Sequence, residues 1–340
     1  MPAPVSLIVN PAAGGGRSGR LADGVERALR GHGLAVRRQH TRDLEHGRGL
    51  AAAAARAGET VVVLSGDGLI GAIADVLREI PGAMLGVLPG GRGNDLARVL
   101  GISEDPIAAC ATIAHGVPTA MDLGTVLDSR SGDRGRAFVG IASAGFDSDA
   151  NRIANEAPAW LGGLVYAYAA IRALLSWKPA RFEIELDANG ERMAFTGYSV
   201  GAANSRAYGG GMRAAPEAML DDGLLEVVVL EKVGKLAFVT SILPRVFKGT
   251  HVQLPHVHVF RAAEVAISAD RPFAMYADGD PIGELPVRVR AIPAALRVLV
   301  PPAAATDSAF VAPSPPSVRR PAEDAGDADL ANARSEQGRW

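Results

Sequence analysis

Hydrophobic positions along the chain follow two grammars, and the change falls near Asp122. Before it, Val5–Val9, Ala35–Gln39, Val61–Leu64 and Met84–Leu88 are short runs of β-forming residues. Helix-like segments follow them, up to Arg30, over Leu44–Ala57, and finally over Pro106–His115. The run Val61–Leu64 is apolar throughout, which suits a strand covered on both faces. Alternating β and α units predict a parallel sheet with right-handed crossovers. From Thr119 onward, short strands alternate with turn signals instead: Met121–Leu127, Arg136–Ser143, Arg181–Leu186, Arg192–Ala203, Leu224–Leu230, Glu264–Ser268 and Val287–Ile292. Asn189-Gly190 is a hairpin signal between two of them. This half reads as an antiparallel β-sandwich with helices inserted at Ala157–Trp177 and Val233–Phe247. The expected division is an α/β domain over residues 1–122, a sandwich over 123–300 and a tail over 301–340. That tail is rich in Pro, Ala, Ser, Asp and Arg, without apolar periodicity, and is expected to be disordered.

Three strand ends in the first half empty into glycine. Asn10-Pro11 stops the first strand, and Gly14, Gly15 and Gly16 follow, with Arg17 and Arg20 within reach of phosphate oxygens. Ser65-Gly66-Asp67-Gly68 closes the third. Pro89 to Gly93 closes the fourth, and Asn94-Asp95 reads as the cap of the next helix. Such loops lie at the carboxyl edge of a sheet, where open α/β folds bind ligands. Without a Cβ, backbone N–H groups can approach a phosphate chain, and a helix N-terminus adds positive charge. Neither the Lys and Ser/Thr of a P-loop nor the Rossmann glycine spacing is present. Taken singly, each loop is equally an ordinary strand-to-helix turn.

Composition narrows the class. With 340 residues, 48% hydrophobic and 21% charged, the chain suits about two globular domains. A net charge of -2 argues against a nucleic-acid partner. Cys110 is the only cysteine, so no internal disulfide or cysteine metal site exists and a reducing compartment is expected. Val5–Val9 is too short for a secretory h-region, and Leu161–Trp177 is interrupted by Arg172 and too short to span a bilayer. The expected location is cytoplasmic, with membrane contact peripheral at the inner face.

Two acidic turns remain, Leu220-Asp221-Asp222-Gly223 and Tyr276-Ala277-Asp278-Gly279-Asp280. Both suit turns. Carboxylates near a phosphate-cradling loop are also what magnesium and a hydroxyl nucleophile require. With Asn10-Pro11 and its glycines, SGDG at Ser65–Gly68, PGGRGNDLAR at Pro89–Arg98, GFDSD at Gly145–Asp149, and NSRAYGGGMRAAP at Asn204–Pro216, these turns form an ordered set. The set resembles the diacylglycerol kinase catalytic-domain family, which includes bacterial soluble lipid kinases and sphingosine kinases. The resemblance runs from about Val5 to Val300.

The resemblance implies ATP-dependent phosphorylation of a lipid hydroxyl in a cleft between the two domains, with Leu296–Val300 returning to the first. It implies a nucleotide site of Asn10, Gly14, Gly15, Thr41, Ser65, Gly66, Asp67, Gly68, Gly71, Arg92, Gly93 and Asn94. It implies structural magnesium on Asp222 and the carbonyls of Met219 and Leu224, and it places Asp149 on the substrate side. Asp280 falls on the family's proposed base, whereas sphingosine kinases give that role to the position of Asp67. A homodimer is compatible with the sequence, which does not itself set the oligomeric state.

Three departures stand out. Leu69 and Arg92 replace hydroxyl-bearing residues, and Asp280 replaces a glutamate. Three functions therefore remain open: a lipid kinase acting on diacylglycerol or a similar long-chain lipid, a catalytically impaired lipid-binding homologue, and a small-molecule kinase of the NAD kinase type. Val233–Lys248, with apolar residues on one side and Lys235, Arg245 and Lys248 on the other, is read either as a membrane-docking helix or as one packed on its own sheet.

Overall fold

The computed structural model describes residues 4–128, 134–157, 165–187, 190, 192–302 and 309–310. Strands β1 (Val5–Val9), β2 (Val36–His40), β3 (Thr60–Ser65) and β4 (Met84–Pro89) form a parallel sheet in the order β2-β1-β3-β4. Every residue of β1 is buried, as an apolar run without alternation requires. Helices α1 (Ala13–Gly31) and α5 (Pro106–His115) pack on each other, as do α2 (Leu44–Arg56) and α3 (Asp67–Leu77). The short α4 (Asp95–Val99) leaves the fourth strand.

In the second half, β5 (Val117–Leu127), β6 (Arg136–Phe138), β7 (Ile141–Gly145), β8 (Ala180–Leu186), β9 (Arg192–Ala203) and β10 (Leu225–Glu231) are joined by β11 (Val257–Ala262), β12 (Glu264–Ala269), β13 (Ala274–Ala277), β14 (Asp280–Glu284) and β15 (Val287–Val300). All pair antiparallel with each other. A second apolar core lies beneath them, built from residues such as Phe138, Phe182, Val200 and Val289. The α/β class and the antiparallel second half match the sequence reading.

Several local expectations change. The expected strand Arg136–Ser143 is cut in two at Val139-Gly140, because both N–H groups donate to the Asp278 carboxylate at 2.8 Å instead of to a neighbouring strand. The expected boundary at Asp122 lies inside β5, which runs through it without a break. β15 also belongs to both halves. It pairs antiparallel with β5 and β12, bulges between Ile292 and Leu296, and then runs parallel to β4 through Arg297 and Val298. The expected helix Val233–Phe247 is a chain of short turns, with one helical turn at Lys235–Ala237, a wide π turn over Phe238–Ile242 and a last turn at Leu243–Val246. Pro244 lacks the N–H that a continuous helix would use there. The expected helix Ala157–Trp177 is described only over α7 (Val165–Ser176), preceded by α6 (Phe146–Glu156), and residues 158–164 lie outside the description. Asn189 of the hairpin signal also lies outside it, although β8 and β9 pair as the signal implies.

Of the expected disordered tail, residues 309–310 are described, and they dock. Ala309 is buried and its carbonyl accepts the Leu220 N–H at 2.8 Å, while Phe310 packs against the core of the first domain. Residues 303–308 and 311–340 lie outside the description.

Candidate active site

Three glycine loops meet at the carboxyl ends of β1, β3 and β4. Gly14, Gly15 and Gly16 have φ of 60°, 66° and 86°, a left-handed run that glycine alone adopts without steric cost, so the regular part of α1 begins after them. A Cβ on Gly14 would collide with the Gly90 carbonyl, and one on Gly66 would lie 3.1 Å from Gly91 Cα. Ser18 Oγ donates to that same Gly90 carbonyl at 3.1 Å. The loops are thus packed backbone to backbone. Asn10 holds the turn after β1 by accepting the Ala12 N–H at 3.1 Å, and Thr41 joins it at the end of β2, donating its N–H to Val9 at 2.9 Å. Asn94 does not cap α4. It sits at φ 54°, and its Oδ1 accepts the Gly91 N–H at 2.7 Å, closing the glycine loop on itself. The cap comes from Asp67, whose Oδ1 accepts the Leu96 N–H at 3.2 Å across from α3. Arg92 is exposed and has no ion pair among the described residues.

Facing these loops is a cleft lined by Asp67, Asp95, Asp278, Ser205 and Tyr208. Asp95 accepts the Gly210 N–H and pairs with Arg98, both at 2.8 Å, and burial together with the charge of Asp67 raises its pKa. Asp278 occupies the two-residue turn Asp278-Gly279, with φ of 51° and 92°, between β13 and β14. Burial pushes its pKa up to about 7 against the two N–H groups it accepts. A Cβ on Gly71 would lie 2.8 Å from Asp278 Oδ2, so the glycine admits the carboxylate. Asp280 stands on the other side of this turn, beside Gly68 and Gly71, in a small pocket that Asp278 also lines. Burial raises its pKa and Arg136 opposes the shift.

Beyond the cleft lies an apolar cavity of about 130 Å³ between the β7-β9-β10 face, α6, α7 and the turns after Lys235. Its wall is almost wholly apolar, with Asp147, Ser199, Tyr208 and His251 the main polar exceptions. Burial lifts Asp147 to about 6 while a hydrogen bond with Ser199 pulls it down. Burial also lowers the pKa of His251, whose ring meets the Ala214 carbonyl at 3.1 Å. Tyr208 and Ile141 line both the cavity and the carboxylate cleft.

The structure therefore brings the expected Asn10, Ser65, Asp67, Gly68, Gly71, Arg92, Gly93 and Asn94 to one edge and adds Asp95, Asp278 and Tyr208. It does not bring Asp149 to the cavity. Two residues along α6 from Asp147, Asp149 faces a separate solvent-open pocket with Arg152 and Arg271. The implied structural cation at Asp222 does not fit either. Asp222 Oδ1 accepts the Leu224 N–H at 3.0 Å and Oδ2 is bonded by the Arg261 guanidinium, so the positive charge at this turn is an arginine. Glu226, directly opposite Arg261 on β10, is buried and raised to about 7. In the cleft, no group of three acidic, His or Cys side chains among the described residues could hold a metal unaided. A divalent ion there would share phosphate oxygens with Asp67 or its neighbours, the usual arrangement for magnesium.

Comparisons with known proteins place this geometry. A family model described as "Diacylglycerol kinase catalytic domain" matches residues 4–126, and one described as "YegS C-terminal NAD kinase beta sandwich-like domain" matches residues 140–300. These matches, with the relatives below, put the chain in the lipid-kinase class. A diacylglycerol kinase of Mycobacterium tuberculosis (strain ATCC 25618 / H37Rv) is 35% identical over 303 residues, covering 87% of this chain and 95% of that one. Another, from Bacillus subtilis (strain 168), is 30% identical over 240 residues, 69% of this chain and 75% of its own. The crystal structure of a diacylglycerol kinase from Bacillus anthracis str. Sterne shares the fold at a TM-score of 0.68 and 19% identity, covering 88% of this chain and 97% of that chain. The chain belongs to the diacylglycerol kinase catalytic-domain family.

Proposed function

We propose that the protein is an ATP-dependent lipid kinase that transfers the γ-phosphate to a hydroxyl of diacylglycerol or a similar long-chain lipid. The observation that carries this reading is the wall shared by the two cavities. Tyr208 and Ile141 line both the apolar compartment and the carboxylate cleft, so a chain held in the first has its polar end beside the second. An aliphatic acceptor suits the first, and a triphosphate on the glycine loops suits the second.

Asn10, Gly14, Gly15, Thr41, Ser65, Gly66, Gly68, Gly71, Gly93 and Asn94 shape the nucleotide side, and Arg92 supplies a free guanidinium for phosphate. Magnesium, when bound with the nucleotide, neutralises phosphate charge. The acceptor oxygen forms the new P–O bond as the bond to the leaving ADP breaks, and its proton passes to a carboxylate. Asp280 is that carboxylate in this reading, reached past Asp278, which lines both the cleft and the Asp280 pocket; Asp278 itself already accepts two backbone N–H groups and Asp67 caps α4. Burial keeps Asp280 a stronger base than an ordinary aspartate.

The test is γ-labelled ATP with diacylglycerol, monoacylglycerol, sphingosine, undecaprenol and NAD as acceptors. Label in a lipid supports the reading, and label in NAD alone or in nothing overturns it. Asp280→Asn should lower kcat by about 10²- to 10⁴-fold with nucleotide affinity retained. Asp67→Asn should weaken nucleotide binding along with turnover, and the opposite pattern exchanges the two roles.

A further inference from the structure

Nine large hydrophobic side chains are exposed among the described residues, and six of them sit together. Tyr168, Ile171 and Leu175 project from α7, and Leu236, Val239 and Phe247 from the turns beyond Gly234, with Leu175 at 77% and Leu236 at 76% exposure. Lys235 Nζ donates to the Leu175 carbonyl at 2.8 Å, so the two segments adjoin. Both also wall the apolar cavity, α7 through Ala169 and Ala170, the turns through Phe238, Ile242 and Phe247. Phe247 is half exposed while lining the cavity, which places its margin at this surface.

Charge on the same two segments is one-sided. Residues 165–178 and 232–248 carry six Lys and Arg and no Asp or Glu, in a chain whose net charge is -2. Arg172, Lys178, Lys235, Arg245 and Lys248 are all exposed, and none forms an ion pair among the described residues. Arg172 meets the Tyr168 hydroxyl and Arg245 the Ser241 carbonyl, both neutral partners. Apolar anchors ringed by unneutralised cations are the composition of an interfacial membrane surface. A two-fold dimer through this face would instead set cations against cations.

We infer that this face docks on an anionic lipid bilayer, with Leu175 and Leu236 entering the acyl boundary and the surrounding cations meeting phospholipid headgroups. The docked orientation sets the apolar cavity against the bilayer, so an acceptor lipid passes from membrane to cavity without crossing water. This rests on the lipid-kinase reading for the identity of the acceptor but not for the docking itself.

The experiment uses the full chain and vesicles of phosphatidylcholine with or without about a third phosphatidylserine, a composition that gives a strongly negative surface. Leu175→Glu/Leu236→Glu alters side chains that line neither cavity and are mostly in solvent, so folding is retained. Wild type should sediment with the anionic vesicles, less so at high salt, and the double variant should bind about 100-fold more weakly. On a short-chain acceptor dispersed as monomers, both proteins should have equal activity, whereas on acceptor embedded in anionic vesicles only the variant should fail. Wild type that stays in the supernatant, or a variant that sediments equally well, overturns the inference. So does a dimer in analytical ultracentrifugation that the double substitution dissociates while vesicle binding is unchanged. Absence of phosphorylation on every lipid would remove the kinase reading and leave the docking result standing on sedimentation.

Discussion

Gly93→Ala places one methyl group between the two carboxylates that face the nucleotide loops. A Cβ there would lie 2.9 Å from Asp67 Oδ2 and 3.3 Å from Asp95 Oδ2, both tighter than ordinary contact. Asp95 is held from two sides, by the Gly210 N–H and by Arg98, whereas among the described residues Asp67 accepts the Leu96 N–H alone. Asp67 is therefore the group that yields, by a few tenths of an ångström, and the methyl also fills space that a phosphate-bound cation would share with it. Misplacement by about 1 Å can cost about 100-fold in rate, so a smaller shift with added exclusion should lower kcat/KM by about 10- to 100-fold. The neighbours are flexible carboxylate ends rather than backbone, and Tm should fall by no more than about 2 °C. Gly49→Ala in α2 is the control, because nothing lies within 4 Å of its Cβ and the helix gains from alanine. Steady-state kinetics with ATP, nucleotide titration and a thermal melt on all three proteins decide the matter. Full activity in Gly93→Ala would falsify the placement of Asp67 beside the reacting phosphates.

Removing the Arg261 guanidinium leaves Asp222 and Glu226 without their cation, so Arg261→Gln should lower stability by about 2 kcal/mol in a denaturant titration. Wild-type Tm should not respond to magnesium or chelator in the absence of nucleotide, and a saturable rise abolished by Asp222→Asn would restore a metal to that turn. Asp147 carries a folded pKa of about 6 against 3.8 in the unfolded chain, so it binds more protons when folded. Native stability from this group is present below the unfolded value and lost as pH rises through the folded one. Asp147→Asn should therefore gain on wild type by up to about 3 kcal/mol between pH 4 and 7, read from melts across that range. A chain ending after Pro302 should lose about 2 kcal/mol through the missing Ala309 and Phe310 contacts, and one ending after Phe310 should melt like the full chain.

Much of the architecture was legible because it rests on local pattern. Val5–Val9 and Val61–Leu64 announce buried parallel strands by the absence of any polar alternation. β13 and β14 were not legible, since Ala274–Ala277 is short and Pro281 interrupts Asp280–Glu284, a residue tolerated only because β14 is the sheet edge. Within the site, glycine spacing exposed the loops, and the Asp278-Gly279 pair carried a hairpin-turn signal that could have singled out Asp278. Nothing local distinguishes Asp147 from Asp149. The choice depends on which side of α6 meets Ser199 of β9. Arg261 was invisible for the same reason, because it lies 39 positions from Asp222 and reaches it only through the pairing of β10 with β11.

The shared strand β15 has a bearing on how this chain comes off the ribosome. Until Arg297 and Val298 emerge, β4 has no partner on its outer side, and the parallel sheet of the first domain stands with a bare edge. Nearly the whole sequence must be synthesised before the first third can finish its sheet. The bare edge is apolar and a template for pairing with other chains, so the growing polypeptide is most exposed to aggregation in that interval. Release of a free-standing nucleotide half by proteolysis or gene truncation is closed off by the same strand, since any cut before it leaves that edge permanently open.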